Sequence, residues 1–139
     1  MSPATPTRPV TPVRLVTHVE LDEAHTTDRQ LSVSARLEAE LSDGRGLVLL
    51  DDRGWSESAL GDGDVRALLT RASVEETART VVGPDEPHGD ETQEQAAAGH
   101  WAALAGILAR RGVDADPAAL AGLAHAVVLG ERLRAWAGF

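Results

Sequence analysis

The sequence predicts an α+β fold: an antiparallel meander of three to four strands, packed on one face by three to four C-terminal helices. Three observations carry that expectation. Leu31, Val33, Ala35, Leu37, Ala39 and Leu41 alternate without a break with polar residues, which gives a strand one apolar and one wetted face. Asp43-Gly44 then supplies the residues of a tight turn, and Leu47 to Leu50 runs back. Beyond residue 73 the apolar spacing becomes helical and is punctuated by caps. Val33, Leu37 and Leu41 are also four apart, so a helix competes for this stretch; the unbroken alternation and the following turn favour a strand.

Residues 1–12 carry Pro3, Pro6, Pro9 and Pro12, a spacing that predicts a solvated, disordered tail. Residues 13–139 then form one α+β domain, with the sheet in 13–55 and the helical part in 73–138. The first strand is expected over 13–21, with Val13, Leu15, Val19 and Leu21 on one face, Thr17 interrupting them, and His18 on the wet side. The second and third strands follow over 31–41 and 46–51. Asp52 to Asp64, rich in glycine and acids, reads as loop. Val65 to Arg71 fits either a short strand or a helical turn.

Ser73 followed by Glu76 has the pattern of a capping box, and Gly83-Pro84 ends that helix. Thr92 with Gln95 opens the longest helix, expected to run to Arg111 and to lie across the sheet as the second layer of the core. Asp116-Pro117 starts a short helix, and a last helix is expected from about Ala126 to Ala137, with His125, Leu129, Leu133 and Trp136 along one face. That face offers more apolar surface than a small sheet covers, so a homodimer through the C-terminal helix is expected.

Composition narrows the function. The chain has no cysteine, which removes disulfides, thiolate metal sites and cysteine nucleophiles. All thirteen basic residues are arginine, and lysine, asparagine and tyrosine are missing, as expected of a high-GC bacterial gene. A net charge of −9 opposes non-specific nucleic-acid binding and suits an encounter with a basic partner. The longest apolar run, Trp101 to Ala109, is too short to span a bilayer, so neither membrane nor nucleic acid is expected as a partner, and the expected location is the cytoplasm.

No catalytic constellation stands out, and no metal or other cofactor is expected. Gly54-Trp55-Ser56-Glu57-Ser58 falls one residue short of a nucleophile elbow, and no helix is expected to follow it. The acids of 51–64 and 85–91 have neither EF-hand nor His-Glu-x-x-His spacing. Dipole complementarity explains the acids nearest Thr92 but not Asp85 and Glu86, which two prolines hold in a stiff turn. Asp85, Glu86, His88 and Asp90 are therefore the candidate contacts for a protein partner with a basic surface. The expected function is a non-enzymatic interaction, accessory or immunity-type module. The alternative is a small hydrolase or metal-dependent enzyme that uses the acidic loops with His88 or His100.

Overall fold

The computed structural model describes residues 9–139 and has the predicted α+β class, with a four-stranded sheet and four α-helices. Residues 1–8 of the expected proline-rich tail lie outside the described residues. Strands β1 (Pro12–Leu21), β2 (Gln30–Leu41) and β3 (Gly46–Ser58) pair antiparallel as a meander. The alternation in β2 is followed to the letter: its six odd-numbered apolar residues are all buried under the helices. Gly44 takes a φ of +88° in the turn, the left-handed region that glycine enters without a steric penalty, while Asp43 accepts a hydrogen bond from the Arg45 amide at 3.0 Å. Just before β1, Thr11 and Ser42 exchange two hydrogen bonds, which tie the chain to the hairpin.

β3 is seven residues longer than expected. Asp52 to Ser58 continues the strand, with Val33 opposite Trp55 and Leu31 opposite Glu57, and register shifts near Leu37 bend the pair. Gly54 reads locally as a loop signal, yet its lack of a side chain is what lets β3 pass close to the Val33 carbonyl.

The C-terminus also departs from the expected helix. His125–Leu129 is a strand, β4, and it lies parallel to β1, so the sheet is mixed, in the order β3-β2-β1-β4. The spacing of His125, Leu129 and Leu133 matches a helix, but Val127 and Val128 are β-branched, and the open edge of β1 supplies the missing hydrogen bonds. Only the short helix α4 (Glu131–Ala137) follows. Leu129 and Leu133 are buried in the core, and Trp136 is half-buried, with the Arg66 guanidinium 5.2 Å from its ring centre. The face expected to serve a homodimer is thus used inside the fold.

The helices cover one face of the sheet. Residues 65–68 form a 3-10 turn, which resolves the ambiguous stretch. Helix α1 (Arg71–Val81) begins one turn earlier than expected, because Thr70 rather than Ser73 is its cap: each side chain accepts from the other residue's amide. Helix α2 (Gln93–Arg110) has the expected Thr92/Gln95 box, and α3 (Pro117–Ala121) the expected Asp116 cap. Contrary to expectation, α2 is not buried most of the way round: only Leu104, Ala105 and Leu108 are, and Ala98, Gly99, Ala102 and Ala103 face solvent. No helix among the described residues is long and apolar enough to cross a membrane.

Glu20 joins the last two elements. It sits on the uncovered face of β1, and its carboxylate accepts from the Leu133 amide at 3.1 Å, capping α4 from another strand. Gly130, the residue before α4, leaves room for it, since a side chain there would strike the Glu20 carboxylate. Glu20→Ala is expected to cost about 1 kcal/mol, the usual loss for a removed helix cap. Urea denaturation checks this, and an unchanged midpoint would show that the cap contributes nothing.

Candidate functional site

The sequence-predicted acids gather at a cleft between β3 and α2. Arg53 projects from the inner side of β3, at the register position of Ala35, near the sheet edge. Its guanidinium donates to the Val81 carbonyl at 3.3 Å and to Asp85 at 2.9 Å. The Pro84–Pro87 turn is thus drawn inward onto the strand rather than left as a free loop. Asp85, expected to present its charge outward, has a side chain that is 69% exposed, and it also pairs with Arg53, whose side chain is 24% exposed.

Glu86 and His88 line the same cleft, as do Glu91, before the α2 cap, and His100, two turns into that helix. Leu50, Leu104 and Ile107 give it an apolar floor, and its volume is about 320 Å³. Asp90, the fourth predicted contact, is exposed and does not line the cleft. Three of the four predicted residues are therefore brought together. Arg53, Glu91 and the apolar floor were not foreseen as parts of a site.

The electrostatics follow from the pairing. Arg53 and Asp85 neutralise one another, whereas Glu86 and Glu91 form no salt bridge among the described residues. The cleft is left with an anionic wall above apolar side chains. His100 lies at its edge, with its ring edge-on to Trp101 at 4.9 Å and its Nε2 buried without a hydrogen-bond partner among the described residues. Burial lowers the pKa of His100 from the usual 6.5, as does the nearby Arg53 charge, while Asp85 and the Val82 carbonyl oppose the shift.

His125 occupies a different place, a small cleft of about 150 Å³ lined also by Arg79, Trp101 and Leu123. Its Nε2 is 2.6 Å from the Thr17 hydroxyl, and Thr17 is fully buried. The polar interruption in β1 is thus a partner for a half-buried histidine, and no substrate reaches its oxygen. Burial, and then Arg79, lower the His125 pKa from 6.5. His100 and His125 therefore do not share a site, although Trp101 adjoins both.

Both rings favour the neutral form in the native state. In the unfolded chain they take up protons as the pH falls below 6.5, while the folded chain resists until a lower pH. Stability is thus expected to be constant above that value and to decline in mild acid. His125→Gln, which keeps a partner for Thr17, should flatten part of the slope. Denaturant midpoints measured from neutral pH into mild acid check this, and a midpoint that rises on acidification would contradict it.

The cleft between β3 and α2 sets His88 and His100 beside the carboxylates of Glu86 and Glu91. No hydroxyl lines it, and among the described residues no three His, Asp or Glu side chains converge closely enough to hold a metal ion. Ser56, the serine of the near-match to a nucleophile elbow, lies within β3 close to its end, opposite Ser32, rather than at a strand-to-helix turn. An apolar floor beneath carboxylates suits a long basic side chain, with the aliphatic stem on the floor and the cationic head at the wall. No family model matches this chain, and neither does any curated protein or solved structure.

Proposed function

We propose that this chain is a non-enzymatic protein-interaction module whose cleft between β3 and α2 receives a basic side chain of a protein partner. One observation carries the proposal: Glu86 and Glu91 stand uncompensated, among the described residues, over the floor made by Leu50, Leu104 and Ile107. The Arg53–Asp85 pair supports it, because a wall already fixed in place loses little freedom on binding. Within this proposal the protein is a cytoplasmic accessory or immunity-type partner, and its acidity speeds the encounter with a basic surface.

Asp85 is the wrong residue to reverse, since Asp85→Arg would set two guanidinium groups face to face. Glu86→Gln with Glu91→Gln removes the free charge and keeps the shape. With a tetra-arginine peptide as probe, calorimetry should show the double variant binding about tenfold more weakly, with a smaller salt dependence. Asp62→Asn with Asp114→Asn, remote exposed acids, controls for net charge. Equal losses in the two double variants would overturn the proposal.

A further inference from the structure

The acid-walled cleft is one end of a longer feature. A second cleft, of about 330 Å³, adjoins it; the two share Ile107, and the second is lined by Leu41, Leu47, Arg45 and Arg111. Arg45 is bound to Asp43 at 2.6 Å, but Arg111 has no carboxylate partner among the described residues. Along the side of α2 next to β3 the surface thus runs from Glu86 and Glu91 to Arg111, none of them in a salt bridge among the described residues. Between them, from Ala96 to Ala109, the helix carries no charge, although it exposes Gly99, Ala102 and Ala103.

We propose that this groove receives a second copy of the chain, with the two α2 helices antiparallel about a two-fold axis at Ala103. The proposal rests on the acid-walled cleft as a receptor for a basic side chain and names that side chain as Arg111 of the second copy. A surface acidic at one end and basic at the other is complementary to itself when turned about a two-fold axis, whereas a parallel arrangement would set like charges together.

The residue spacing fits the same axis. About Ala103, Ile107 of one copy falls opposite Gly99 of the other, and Arg111 falls opposite Gln95, in the first turn of α2, just after the segment that carries Glu91. Gly99 leaves the helix surface open: a side chain built there would meet nothing within 4 Å. Ile107 is only half-buried in its own chain and can pack over that open stretch of the other copy's backbone. The small residues at the crossing allow the helix axes to come within about 8 Å.

Sedimentation of the full chain tests the proposal. The wild type should be a dimer at high-micromolar concentration. Gly99→Leu adds bulk at the helix crossing in a place where its own chain leaves open space, and a better helix former there should leave melting intact or improved; this variant should sediment as a monomer. Arg111→Glu and Glu91→Arg should each weaken the dimer about tenfold or more, and together they should restore part of the loss, because positions 91 and 111 again carry opposite charges while Glu86 still faces an acid. A wild type that stays monomeric overturns the proposal, as does a dimer indifferent to Gly99→Leu and to both charge swaps. Binding of the tetra-arginine peptide to a monomeric wild type would reject the dimer while leaving the cleft as a receptor for basic groups. Failure of both would reject both.

Discussion

Gly54→Ala is expected to destabilise the protein by about 3 kcal/mol, at the upper end of what overpacking costs. The added Cβ would lie well inside van der Waals contact of the Val33 carbonyl oxygen, a backbone atom that cannot rotate away. Relief requires β3 to move off β2 at the point where both strands are longest. Arg53 and Trp55 flank this residue, so the shift would also pull Arg53 away from Asp85. Guanidinium denaturation of the variant measures the loss, and a change below about 0.5 kcal/mol, the range of ordinary surface substitutions, would show that the close approach is not real.

Leu108→Ala should cost a similar amount, about 2–5 kcal/mol, the range for buried leucines in a core that cannot collapse around the gap. Leu108 is fully buried in the cluster that joins α2 to β1 and β2. Since α2 buries only Leu104 and Ala105 besides, this one substitution removes a large part of what holds the helix to the sheet. The expected consequence extends beyond the midpoint. Amide exchange in α2 should accelerate more than in β1 and β2, because the helix is the less anchored layer. Uniform acceleration across the sheet and α2 would contradict this picture of the packing.

Much of the fold was legible in the sequence, and each success has a local cause. The β2 alternation, the Asp43-Gly44 turn, the Thr92/Gln95 box and the Asp116 cap depend on residues within one turn or one strand of each other. What failed depends on distant partners. β4 became a strand because the edge of β1 accepts it in parallel, across more than a hundred residues of chain. Residues 52–58 extend β3 because β2 is long enough to pair with them, although their glycine and acids resemble a loop. Glu20 gave no sign of being a cap for α4, since the helix it caps begins far along the sequence.

The candidate site divides in the same way. Asp85 and Glu86 could be singled out because helix capping left them unexplained, and the flanking prolines marked a fixed turn. Their different roles could not be read, because Arg53 reaches Asp85 only through the fold. One sequence signal could have found Arg53: between Val74 and Glu94 the only basic residue is Arg79, so the acids of the turn needed a cation from elsewhere. Arg79 itself is turned to the His125 carbonyl, 3.3 Å away, and serves the other cleft.

Entry of a basic group between β3 and α2 is tested most directly by an amide-resolved NMR titration with the tetra-arginine peptide, at a concentration where the chain is monomeric. The shifts should be largest at Glu86, Glu91, Gly99 and Ala103, while the exposed acids Asp43, Asp62 and Asp114 stay nearly unmoved. Shifts spread evenly over the acidic surface, or centred away from α2, would contradict it.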